Sequence, residues 1–403
     1  MKSGSLSLWI ASSIILFVSC SNKTATYFTV PFKLDHNRIL VEAEMQRADG
    51  SWRKALLWVD TGAPNFFMSK SLAVDIGLAD SSSEGNFEIS PPRKVRIGAM
   101  EVNFDSVSAS VMEQLYWIFN TMHIDGNLPA TVLQKYHVVF DYPNRQMTIA
   151  TPGSIQPHGE KIPVSINKET GIVQLETFFD NRRYEFALDI GASYSFTSES
   201  ILKKIKEHNP DWPQMTGSAG CANMWGWWPP HEADWFIVRI PKLQLGNIKV
   251  ESAAIVGLPD KVIGPYDIGT WYSQKTANPV AGFLGPNVFK AFRLEIDYTN
   301  SAIYLEKNST FDSSDLDMVG ISIRLEADGN YSVAGVVKKN GAPVTKDILT
   351  GDILLQVDDL DVKDKTMGTV VNALRGKPGD SKTLLISRNG QQLQITAEVS
   401  KFL

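Results

Sequence analysis

Cysteine is scarce in this chain of 403 residues, which has only Cys20 and Cys221. A disulfide-stapled scaffold is excluded, and core packing must hold the chain together. Histidine is nearly as rare. The six residues, among them His123, His137 and His231, form no ligand-spaced cluster, so nothing suggests a metal. No glycine-rich loop opens a helix as a phosphate site would, and no cofactor is called for. A formal net charge of −5 without a long basic run argues against nucleic acid as a partner. Low-complexity tracts are missing, and downstream of Cys20 no apolar run is long enough to span a bilayer. With 43% apolar and 21% charged residues, the rest has the composition of a globular protein with room for two or three domains.

The N-terminus departs from this. Lys2 precedes "LSLWIASSIILFV", Leu6 to Val18, which is short for a transmembrane helix and suited to a signal-peptide core. Ser19-Cys20-Ser21-Asn22 then resembles a bacterial lipobox, with Phe17 where leucine is usual. The resemblance implies removal of residues 1–19 and a diacylglyceryl anchor on Cys20, tying the protein to a membrane of the bacterial cell envelope. Ser21 stands where an aspartate would signal inner-membrane retention, which points to the outer membrane, with either face possible. Ordinary secretion with an incidental cysteine is the alternative. With Cys20 lipidated, no internal disulfide can form, and Cys221 reads as a buried or half-buried thiol.

The chain repeats itself. "WVDTGAPNFFMS" (Trp58 to Ser69) and "ALDIGASYSFTS" (Ala187 to Ser198) share Asp-x-Gly-Ala after an apolar run. Strand-like segments precede each: "VPFKL", "ILVEAEM" and "KALLWVD" in one copy, "IPVSI", "GIVQLETFF" and "YEFALD" in the other. A short helix is expected after each, in "KSLAVDIGL" and "SESILKKIKEH". Further on, Asp125 to Ile149 aligns without a gap onto Ala281 to Leu305, pairing Gly126 with Gly282, Asp141 with Asp297, Tyr142 with Tyr298 and Asn144 with Asn300. "DYPN" and "DYTN" read as hairpin turns. The second copy is longer in its middle, which carries "CANMWGWWPPHEADWF". The expected organisation is mostly β: two pseudo-twofold-related lobes, 20–154 and 155–308, followed by a smaller domain, 309–403.

Twofold packing of the lobes would set Asp60 and Asp189 face to face. Two adjacent carboxylates cannot both ionise cheaply, so they share a proton. One then activates a water while the other protonates a carbonyl oxygen or leaving nitrogen. The macroscopic ionisations belong to the pair, and neither residue is assigned a fixed role.

These motifs, with "LAVDIGL" and the two "DY-x-N" lobe ends, resemble the bacterial retropepsin-like aspartic peptidases over about Val30 to Leu305. The resemblance implies two aspartic-protease-like β lobes, catalytic Asp60 and Asp189, a peptide or protein substrate, and hairpin flaps over the cleft. Gly62, Ala63, Gly191 and Ala192 would shape the turns, and Ser193 would reach the site's edge. Thr61 would bond to the opposite lobe's backbone. Ile190, where the family has threonine or serine, cannot. Asn127-Leu128-Pro129 replaces the apolar-apolar-Gly element kept as Phe283-Leu284-Gly285, and is expected to support Asp60 less firmly. Trp225, Trp227 and Trp228 fall in the second flap region, where they either wall the cleft or pack on the lobe.

The last domain resembles a bacterial periplasmic PDZ domain in Gly320-Ile321-Ser322-Ile323, "GDILLQVDDLDV", the helix from about Thr366 to Leu374 and "GKPGDSKTLLISRNG". Asp358, Asp359 and Asp361 read as a strand–turn–strand corner of it. The resemblance implies that Gly320 to Ile323 bind a peptide's C-terminal tail and that Val370 and Leu374 line its pocket. A docking domain with its groove occupied or closed is the alternative. The expected protein is a lipid-anchored aspartic endopeptidase. Its rival is a peptide-binding or scaffold lipoprotein that has lost catalysis.

Overall fold

A computed structural model describes residues 26–113, 124–217, 235–261 and 264–403. The signal segment, Cys20, Cys221, Trp225, Trp227 and Trp228 lie outside the described residues. The chain is mostly β, in several sheets with barrel-like parts. No helix among the described residues is long and apolar enough to cross a membrane.

A six-stranded antiparallel sheet joins the two repeats, in the order Tyr27–Pro31, Gln146–Ala150, His137–Asp141, Phe292–Asp297, Ala302–Lys307, Glu160–Pro163. Its inner hairpins turn at "DYPN" and "DYTN". In each turn the aspartate accepts from the asparagine three residues on: backbone and side-chain N–H of Asn144 on Asp141 at 3.0 and 2.9 Å, and those of Asn300 on Asp297 at 3.0 and 2.7 Å. The central strands pair His137 with Asp297, Val139 with Glu295 and Asp141 with Arg293. Val139 and Glu295 are separated by the same offset as the repeat partners Asp141 and Asp297, so a local twofold axis passes through that pair.

"VPFKL" and "IPVSI" were each expected as one strand, and both are split. Pro31 and Pro163 end their pairing in the joining sheet, and the chain crosses to Lys33–Asp35 or Ser165–Ile166 in a different sheet. Proline has no N–H for the next ladder bond, which explains the break at both places.

Each repeat then builds its own larger sheet, with the same core. The strand that leads into the motif aspartate (Trp52–Asp60; Arg182–Leu188) runs parallel to a short strand (Gly126–Pro129; Gly282–Leu284). That short strand pairs antiparallel with the strand just after the motif (Phe66–Met68; Ser195–Ser198). The chain therefore loops out of the sheet at the motif and returns on the far side of the intervening strand, leaving the turn at the sheet's end. The expected helices follow as Lys70–Asp75 and Glu199–His208, with Ser69 and Ser198 as N-caps.

Residues beyond about 309 form a seven-stranded sheet whose core includes Ile321, Ile323, Tyr331, Leu354, Val370, Leu374, Leu384 and Val399. They are not a detached unit. The hairpin Lys338–Lys339/Ala342–Pro343 joins the second repeat's sheet, with Thr216 opposite Lys338. Leu316, Val337 and Leu403 pack into a core shared with Phe283 and Ile268. On the other side, the Gly368 N–H at the start of the helix Met367–Leu374 donates to Asp35 Oδ1 at 3.0 Å.

Candidate active site

Both motif turns are tied down by their own aspartates. Gly62 N–H donates to Asp60 Oδ1 at 3.0 Å, and the N–H groups of Gly191 and Ala192 donate to Asp189 Oδ1 at 2.9 and 3.1 Å. The turns meet across the repeat interface. A Cβ added to Gly62 would lie 2.3 Å from Asp189 Cγ, and one added to Gly191 would lie 2.5 Å from Asp60 Oδ1. Only glycine leaves room for this approach. Asp60 and Asp189, the residues singled out from sequence, are therefore brought together, and both are buried.

Thr61 bridges the two turns. Its hydroxyl donates to Leu188 O at 2.9 Å and accepts from Ile190 N–H at 3.0 Å. Ile190 packs its side chain into the apolar core instead, so the grip is one-sided. Asn127 makes its bonds just past the first turn. Buried, it accepts from Phe67 N–H at 2.7 Å and donates to Asn65 O at 3.0 Å, bracing the segment just past the motif. The amide supplies a hydrogen-bonding donor and acceptor in place of an apolar side chain. Ser193 is buried, and its carbonyl accepts from Asn37 Nδ2 at 2.9 Å.

Burial, and then the charge of Asp189, pushes Asp60 up to about 8. Burial raises Asp189 as well, but hydrogen bonds from Tyr272, Ala192 and Gly191 and the nearby charge of Arg38 pull it back. The pair therefore holds a proton across the range where an isolated aspartate would have lost it.

Three neighbours were not anticipated. Tyr272, on the helix Ile268–Ser273, is buried and donates its phenol O–H to Asp189 Oδ2. Burial and the two carboxylates hold that phenol well above its ordinary value, so it stays a donor. Lys275 follows one turn later, its Nζ 3.5 Å from the centre of the Trp271 ring. Burial lowers it to about 8 against the pull of Asp60 and Asp189. Arg38, fully buried, donates from Nε to Gly191 O at 3.1 Å and lies 5.5 Å from the centre of the Trp58 ring. Burial lowers it to about 10. The faint signals were a lone arginine opening the apolar strand "RILVEAEM" and a Trp-Tyr pair inside the extra residues of the second repeat. Neither lies near a motif in sequence.

The six residues expected to bind a peptide tail, Gly320, Ile321, Ser322, Ile323, Val370 and Leu374, are all buried. Ile321, Ile323, Val370 and Leu374 belong to their own sheet's core. A Cβ on Gly320 would meet Val344 Cγ2 at 2.5 Å and Phe402 Cζ at 2.9 Å, so the backbone at Gly320 is closely packed by side chains from elsewhere in residues 309–403. Among the described residues, no group of three or more His, Cys, Asp or Glu side chains is placed to hold a metal ion. No protein-family model matches this chain, and no curated protein matches it.

Proposed function

We propose that the chain is a single-chain aspartic endopeptidase. Its two repeats act as retropepsin-like lobes, and residues 309–403 as a PDZ-type domain docked against them. The observation that carries this reading is the mutual burial of Asp60 and Asp189, each against the other motif's glycine. A shared proton on such a pair lets one carboxylate draw a proton from water while the other protonates the peptide carbonyl oxygen. Water adds to the carbonyl carbon, the C–N bond breaks, and the dyad recovers its proton as the amine leaves. In this reading the signal segment and lipidated Cys20 hold the enzyme at the bacterial envelope, and its substrates are envelope peptides or proteins.

A second reading has its own support. Tyr272 already occupies Asp189 Oδ2, and Ile190 removes half of the usual turn-to-turn grip. A peptide-binding lipoprotein without catalysis would keep this arrangement. One experiment separates the two: a diverse peptide mixture is incubated with the mature chain carrying Cys20→Ser, from acid to neutral pH. The endopeptidase reading expects cleavage that drops about a hundredfold or more in both Asp60→Asn and Asp189→Asn. Binding of peptides without any cleavage by the unsubstituted dyad would establish the second reading.

A further inference from the structure

We propose that Tyr272 is a positioning residue that makes the dyad asymmetric, keeping the negative charge on Asp189 and the proton on Asp60. This rests on the endopeptidase reading for its catalytic consequence, but not for its geometry. The difference between the two carboxylates lies in their donors. Asp189 accepts two backbone N–H bonds on Oδ1 and the Tyr272 phenol on Oδ2. Asp60 accepts only from the backbone of its own turn, at Gly62 and Ala63; among the described residues, no side chain donates to it. Charge-assisted bonds of this kind favour the ionised acceptor.

Arg38, from the first repeat, acts in the same direction: it bonds to the Gly191 carbonyl and favours charge on Asp189. Lys275 attracts both carboxylates, Asp60 more than Asp189, so the asymmetry does not come from it. Tyr272 itself is held firmly. Its ring packs 4.9 Å from Phe283 and 5.2 Å from Trp271, centre to centre. Its helix is capped by Asp267, and a Cβ on Gly269 would lie 2.7 Å from Val280 O, so the helix is pressed against the strand beside the second motif.

The roles follow with the protons balanced. Asp189 takes a proton from water as the water oxygen bonds to the carbonyl carbon. Asp60 gives its proton to the carbonyl oxygen. On collapse, Asp189 passes its proton to the leaving nitrogen as the C–N bond breaks, and the proton on the former carbonyl oxygen returns to Asp60.

Tyr272→Phe keeps the ring and removes only the donor. The acid limb of the kcat/KM profile for peptide cleavage is expected to move up by about one pH unit, since Asp189 then ionises less readily. Increased cleavage with an unmoved limb would overturn the proposal and make the tyrosine a plug. A second measurement needs no activity. In an Asp60→Asn background, unfolding stability is followed from pH 4 to 9 with and without Tyr272→Phe. The fall in stability with rising pH should continue about one unit further in the phenylalanine variant. Curves that differ only by a constant offset would overturn the proposal even if the protein cleaves peptides. A shifted curve in a protein without peptidase activity would leave the placement of charge standing while the endopeptidase reading fails.

Discussion

Thr61 shows how much one hydroxyl does in this interface. It satisfies a carbonyl and an N–H of the opposite turn at once, in a buried place where neither could reach water. Thr61→Val keeps the shape and leaves both groups unpaired, so a loss of about 2–4 kcal/mol is expected in urea unfolding. A loss below about 0.5 kcal/mol would mean that the turns do not depend on this bridge. The aspartates make a different prediction, with its sign fixed by their burial. The unfolded chain releases the Asp60 proton near 3.8, whereas the folded chain holds it to about 8. Between those values the folded state binds more protons, so stability declines as pH rises, by up to about 1.4 kcal/mol per unit. Asp60→Asn cannot ionise, and its stability curve should be flatter over that window. The part due to Asp189, also raised, remains. Parallel curves for the two proteins would show that Asp60 does not carry the proton.

At the scale of elements, the glycines of the short central strands set the architecture. A Cβ on Gly282 would lie 2.1 Å from Phe196 O, and one on Gly126 would lie 2.6 Å from Phe67 O. Each strand is squeezed between the two sides of a motif loop, and the obstacle is backbone, which cannot swing aside. Gly282→Ala is expected to cost more than about 3 kcal/mol, read as a lower urea midpoint and poor soluble yield. A wild-type midpoint would mean that the strand has space. These positions were legible in sequence because the repeat aligns them without a gap, as it does the motifs and the "DY-x-N" turns. Period-two patterns marked the strands, and a helix was expected after each motif. Tyr272 and Arg38 were not legible. Nothing local distinguishes a tyrosine that reaches a carboxylate 83 positions away from one that fills a core. The bracing role of Asn127 was hidden for the same reason: its partners, Asn65 and Phe67, come from the far side of the motif loop. The strand breaks at Pro31 and Pro163 were readable in principle, since proline interrupts a ladder, but the apolar pattern ran straight through them.

For the whole molecule, the least legible feature is how residues 309–403 attach, because pairings between distant units leave no periodic trace. One attachment reaches the site. The Gly368 N–H holds Asp35, and two residues along the same hairpin Asn37 and Arg38 donate to the carbonyls of Ser193 and Gly191 in the second motif turn. Buried and half-buried bonds, linked through the backbone of Asp35 to Arg38, thus connect the C-terminal helix to the backbone beside Asp189. Gly368→Ala tests it against ordinary helix propensity. Alanine would normally favour a helix by up to about 1 kcal/mol. Here the added Cβ would lie 2.5 Å from both Asp35 Oδ1 and His36 N, so the hairpin must move away. The variant should be less stable, and hydrogen exchange should quicken in Lys33 to Leu40 and, because Asn37 and Arg38 move with the hairpin, in Leu188 to Ser195. The sheet around Leu384 should keep its protection, since the added Cβ meets the Asp35–His36 hairpin and not the core that Leu384 shares with Val370 and Leu374. Faster exchange confined to the hairpin would show that the chain of bonds stops at Arg38. Unchanged exchange in both segments would show that the C-terminal unit and the dyad are mechanically independent.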